Sequence, residues 1–238
     1  MIASQLSLTA NQVNSFDNLL LDGTGNALKA LEVMFELTIE SSDSTLEIAS
    51  AMASENLKHL GPGTLFIVSS DMMGDMQGRL LLVMRSDDFD YLSEVMRPVL
   101  SLLFLSNPDT GLAELDDQKP DWMQEDGAEP GDDVVFQEQM MDTLAELGNV
   151  LFGLYTKAIS KICDLNTHHT VPEPLKVPGQ QAMKQVLSSS QMPDQLHLVI
   201  ENEFVVVDRP IKLWCLISPT RASLEDILQQ IETHDAIH

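Results

Sequence analysis

Three polar side chains recur at helical spacing in the second half of the chain: Asp142, Glu146 and Asn149, followed by Gly153, Thr156 and Ser160. At about 100° per residue these positions fall within roughly a 90° arc of a helix. The opposite arc carries Met141, Leu144, Leu147, Gly148, Leu151, Leu154, Tyr155 and Ile162, a face suited to packing. A merely solvated arc would more often pair Lys with Glu at i,i+4. Here two carboxylates and a carboxamide give way to small residues, which leave room for another molecule to approach. A carboxamide can accept a hydrogen bond from water through its oxygen and donate one through its NH2. A glycosidase-type carboxylate pair at Asp142 and Glu146 also satisfies the spacing. Aromatics at 5% of the chain offer little to stack against a sugar, so that chemistry is set aside.

Other reactive constellations are missing from the sequence. It contains no Gly-x-Ser-x-Gly, no P-loop and no clear Cys/His pairing. Its six histidines lack a metal-ligand spacing, His168 and His169 being adjacent in a loop, so no metal and no cofactor is expected in this chain.

At 238 residues the chain can bury a sizeable core, and its formal charge of −24 sets it against phosphate backbones and anionic membranes. A protein partner or a cation suits it better. The longest apolar run, near Pro98–Leu105, is far shorter than the roughly 20 residues that span a bilayer. The N-terminal residues carry no basic and apolar leader pattern, and Cys163 and Cys215 lie in apolar stretches. Both thiols are expected to be free and buried, which fits a cytoplasmic protein.

The elements that must position the polar stripe follow from periodicity. Helical patterns are expected from about Val13 to Leu37, over Met52–His59, over Asp87–Leu105 with a bend or interruption at Pro98, from about Phe136 through Ser160, over Gln181–Ser188 and over Ala222–Thr233. Strands are expected within Glu36–Ala49 with a turn at Ser41–Ser44, and over Thr64–Ser69, Gly78–Met84, Gln195–Val207 and Ile211–Ile217. The last two flank an Asp208-Arg209-Pro210 turn. Asp164–Gln180, with Pro172, Pro174 and Pro178, is expected as a loop. Residues 106–133 are acidic and rich in Pro and Gly, as a linker or surface insertion would be. Trp122 and Met123 could anchor that segment, and it could alternatively mimic an acidic ligand.

The two halves read alike. One constant shift along the chain brings Leu92, Val95 and Met96 onto Leu224, Ile227 and Leu228, whereas a slightly shorter shift brings Gly25 onto Gly153. The difference requires a net insertion of four residues between the matching stretches. The expected architecture is α+β, a pseudo-two-fold internal repeat with helices packed on a shared, mostly antiparallel sheet. Residues 1–105 form the first repeat, 106–133 the acidic insertion and 134–238 the second repeat, together one domain.

Asp142, three residues, Glu146, two residues, Asn149, twenty-two residues and Pro172 together resemble the signature of the CheC/CheX/FliY phosphatases of bacterial chemotaxis. The flanking ELGNVLFGLYTKAI is similar to that family's second active helix. GTGNALKAL at Gly23–Leu31 resembles the GAGNAATAL segment that follows the first. The resemblance implies hydrolysis of the phosphoaspartate of a CheY-like response regulator in two-component signalling. Asn149 would orient the attacking water and Glu146 would reach the regulator's active-site lysine. Asp142 stays open between a functional role and the ordinary preference for aspartate near a helix start. Pro172 would shape the loop beside the site. Mg²⁺ would be held by the regulator, and a CheD-like protein is a possible further partner. In the first half the corresponding positions hold Asn18, Leu21 and Ser44. Leucine cannot orient water and asparagine cannot pair by charge, so the resemblance implies a single-site member. The alternative is a non-catalytic adaptor or flagellar switch-associated protein related to FliM.

Overall fold

The computed structural model describes residues 25, 26, 29, 32, 33, 38–50, 60, 63–106, 132–179 and 196–235. The elements run β1 Ile39–Ser50, β2 Thr64–Gly74, β3 Gly78–Arg85, α1 Ser86–Ser106, α2 Asp132–Cys163, β4 Thr167–His169, β5 Glu173–Pro178, β6 Leu196–Val206, β7 Arg209–Pro219 and α3 Arg221–Asp235. Residues 25, 26, 29, 32 and 33 are also helical. The expected helices at Met52–His59 and Gln181–Ser188 lie outside the described residues, as do Asn18 and Leu21.

All strands join one seven-stranded sheet in the order β1-β6-β7-β3-β2-β4, with β5 also on β2. Every pairing is antiparallel. The central pair is β3 with β7. Each half lends a strand to the other, β1 adding to β6 and β4 and β5 adding to β2. The register carries the two shifts read from the sequence. Thr64 pairs with Pro178, and Ser50 pairs with Leu196. The longer shift carries Thr64 onto Leu196, and the shorter carries Ser50 onto Pro178, so the two pairs are equivalent. The sheet is therefore shared and pseudo-symmetric, with the net four-residue difference falling between the lent strand and the strand that follows it.

Strands of the sheet interior are buried on both faces, which explains continuous runs such as LLLVM at Leu80–Met84. One face sends Phe66, Val68, Leu80, Leu82, Met84 and Leu213 into a core shared with all three named helices, where Phe66 stacks on Phe89 at 3.6 Å between ring centroids. The other face gathers Leu65, Ile67, Leu81, Val83, Trp214 and Leu216 with Leu60. At its margin the Glu201 carboxylate accepts from Trp214 Nε1 at 2.7 Å and from Lys212 Nζ at 2.6 Å. This bond raises the Lys212 pKa against the effect of burial.

Several local expectations are corrected. The stretch Ser41–Ser44 is no turn: β1 runs through it with a register shift between Ser41 and Asp43, because pairing to β6 holds the chain extended. Helix α1 passes through Pro98 without interruption. Residues 167–169 and 173–178 are edge strands where a loop was expected. Pro174 and Pro178 are tolerated there because an edge strand has one side free of ladder bonds. The β6–β7 turn centres on Val207 and Asp208, both at positive φ (47° and 66°), so it begins one residue before the expected Asp208-Arg209-Pro210 and shares only Asp208 with it.

Cys163 and Cys215 are free and buried. Burial pushes the Cys163 thiol up to about 11 and Cys215 higher still. Since the thiolate is the reactive form, neither is expected to react with a disulfide reagent at pH 8 in the native protein. Release of chromophore should begin only on unfolding, and rapid native-state labelling would contradict the burial.

Candidate functional site

Helix α2 spans Asp132–Cys163 and carries Lys161 in its last turn, a charge that suits the C-terminal end of the helix dipole. Met140, Leu144, Leu147, Leu151, Tyr155 and Ile159 bury one side of it in the core. Two contacts fix its height and rotation. Gly148 is buried, and a Cβ there would stand 2.8 Å from Val68 Cγ1, so the helix backbone lies directly on β2. Buried Asn202 on β6 donates through Nδ2 to the Tyr155 hydroxyl at 3.3 Å.

With the helix so rotated, Asp142, Glu146 and Asn149 are all exposed on one side. Among the described residues none of the three side chains is engaged in a hydrogen bond or ion pair. The polar arc does not continue to Ser160 as an open face. Gly153 is half-buried, and Thr156 is buried at 3% exposure with its hydroxyl donating to the Phe152 carbonyl at 2.6 Å. The reason is tertiary: β4 and β5 pack against α2, and His169 of β4 sits beside Phe152 and Gly153. The open part of the stripe therefore ends at Gly153.

Pro172 is buried in the β4–β5 connection, next to the strand that carries His169. That connection is tied to β2 through Thr170. Its carbonyl accepts from Ser70 Oγ at 2.7 Å, its Oγ1 accepts from the Asp71 amide at 3.1 Å, and its own amide donates to the Asp71 carbonyl at 3.0 Å. In the first half, Ser44 lies on β1 opposite Asn202. The longer shift carries Ser70 onto Asn202, and Ser70 is one step beyond the Ser69–Glu173 pair, so Ser44 takes the sheet position corresponding to Pro172.

The residue that sequence reasoning passed over is His169. As part of β4 it pairs with Met72, which is buried on the helix-covered face, whereas His168 is exposed. Its ring meets Phe152 of α2 edge-on at 6.0 Å, and its Nε2 is 3.8 Å from where a Cβ on Gly153 would stand. Strand alternation would have separated the two histidines had the segment been read as a strand. Among the described residues no group of three or more His, Cys, Asp or Glu side chains is arranged to hold a metal ion. No helix among them is long and apolar enough to cross a membrane.

The architecture, helices packed on a shared antiparallel sheet, is that of the CheC/FliM-middle-domain-like α+β fold. FliY from Thermotoga maritima superposes with a TM-score of 0.61 at 15% identity, covering 96% of this chain and 100% of that one. FliM in a FliG–FliM complex from H. pylori gives 0.54 at 13% identity, over 93% and 100%. CheX from Desulfovibrio desulfuricans gives 0.44 at 10%, over 84% and 99%. No family model matches the sequence, and no curated protein matches it.

Proposed function

We propose that the chain is a phosphatase for the phosphoaspartate of a CheY-like response regulator. The observation that carries this reading is the pair Glu146 and Asn149, exposed one turn apart on a helix whose rotation is fixed by Gly148 and Tyr155. A phosphoaspartate is a reactive acyl phosphate, so alignment of a water in line with phosphorus supplies much of the rate. Asn149 Oδ1 accepts a hydrogen bond from that water while Nδ2 donates to a phosphoryl oxygen. Glu146 pairs with a lysine of the regulator and sets the docking register. Mg²⁺, where the chemistry uses it, is bound by the regulator's carboxylates, and a CheD-like protein is a further candidate partner.

The direct test mixes the protein with phosphorylated candidate regulators and follows phosphate release. Glu146→Ala is expected to weaken the complex by roughly 3- to 30-fold, more than Asn149→Ala does, because it removes an ion pair closed off from water. Titration of the phosphorylated regulator against each variant checks the order, and the reverse order would contradict the role given to Glu146.

The second reading is a non-catalytic adaptor of the flagellar switch. It draws on the likeness to FliM, which is held in a complex with FliG in the H. pylori structure. Binding of a regulator without accelerated phosphate release would favour it.

A further inference from the structure

The His169 imidazole has one nitrogen committed and one free. Nδ1 lies 2.9 Å from the Thr170 carbonyl oxygen, which can only accept, so Nδ1 carries the hydrogen. The same oxygen also accepts from Ser70, and Ser70 and Asp71 hold Thr170 in place, so the ring is set on a fixed mount. In the neutral ring this leaves Nε2 as a hydrogen-bond acceptor. No partner for Nε2 is present among the described residues, nor is it one of the buried polar atoms sealed without a partner, which are Ser160 Oγ and Thr167 Oγ1. Nε2 is therefore not sealed from solvent, and it lies beside half-buried Gly153, one turn beyond exposed Asn149. Gly153 has no side chain to cover the ring nitrogen.

We propose that His169 is a partner-contacting residue of this site, its Nε2 accepting a hydrogen bond from a donor on the docked protein. This rests on the phosphatase reading and names one more contact within it. The contact calls for a donor beside the phosphoaspartate, such as a backbone N–H, a hydroxyl or an amide NH2. A phosphoryl oxygen would oppose its lone pair to that of Nε2. The mounting explains why histidine is used: the ring packs against Phe152 and is held through Nδ1, while Nε2 is not sealed from solvent.

The test compares steady-state phosphate release by wild type, Asn149→Ala, His169→Phe and His169→Gln, with thermal unfolding of each. His169→Phe keeps an aromatic ring but removes both the Nε2 acceptor and the Nδ1 donor to Thr170, leaving a donor on the partner unsatisfied; His169→Gln also lacks the Nδ1 donor, so the difference between the two variants reads the Nε2 contact. The Phe variant is expected to raise KM about tenfold with kcat within a factor of about two. His169→Gln carries an amide oxygen that can take the place of Nε2, and KM is expected to return to within about threefold of wild type. Gly153→Ala gives independent evidence: its methyl would lie in ordinary contact with Nε2, 3.8 Å away, so the fold should hold while KM rises. If His169→Phe and Gly153→Ala match wild type in KM while Asn149→Ala is inactive, the contact is refuted and the phosphatase reading stands. Equal loss in the Phe and Gln variants, or a fall in kcat alone, also refutes it. Failure of the wild type to release phosphate from any regulator overturns both.

Discussion

Asn149→Ala is expected to lower kcat for phosphoaspartate hydrolysis by about 10²–10³-fold, the range seen when one preorganised polar contact to a reacting centre is removed. The size follows from what the amide does. Without it, water still reaches the phosphorus, but its orientation is no longer fixed and one hydrogen bond to the phosphoryl group is lost. The side chain is exposed and has no hydrogen bond to the described residues, so its removal should leave the unfolding midpoint within about 1–2 °C of wild type, as for other surface substitutions. Affinity for the phosphorylated regulator should change much less than kcat. Single-turnover phosphate release alongside a binding titration separates the two quantities. Unchanged turnover in the variant would remove the mechanism and leave the adaptor reading in its place.

Gly148→Val is expected to destabilise the fold by about 2–4 kcal/mol, a mid-helix overpacking effect. A Cβ at this position would stand 2.8 Å from Val68 Cγ1 and 3.3 Å from Val68 Cβ, and valine adds two further methyl groups. Val68 is fully buried in the sheet and cannot give way by moving a flexible tip. Valine's better helix propensity than glycine's returns only a few tenths of a kcal/mol. For a chain of this length the loss corresponds to a fall in Tm of roughly 4–16 °C. A second consequence reaches the site. If α2 lifts off β2, Asn149 moves with it, since the two residues are adjacent, so kcat should fall even at temperatures where the variant remains folded. Thermal unfolding and kcat measured well below Tm test both parts. A variant as stable as wild type would show that the close approach of α2 to β2 is not required.

Much of the fold was legible because it depends on short-range pattern. Short apolar, β-branched runs bounded by turn residues marked β2, β3, β6 and β7, and the 3.6-residue period marked α1, α2 and α3. The paired shifts between the halves were readable too, because a repeat preserves spacing whatever its surroundings. The position of β4 and β5 was hidden. Proline removes a donor, so a stretch with Pro172, Pro174 and Pro178 reads as loop unless a neighbouring strand is known to accept it at an edge. At Pro98 the helix is not interrupted: α1 runs through it.

The sequence by itself determined which residues share one face of α2, because helical phase is a local property: Asp142, Glu146 and Asn149 stand together in any helix made from this stretch. It could not say how far that face stays open. That is set by contacts between distant parts of the chain: β4 and β5 pack against α2, Thr156 and Pro172 are buried, and His169 comes to Gly153. Those contacts join residues that become neighbours through pairing with β2, a strand drawn from the other half of the chain. Local spacing carries no record of such a pairing; the exchange of strands between the two halves creates it.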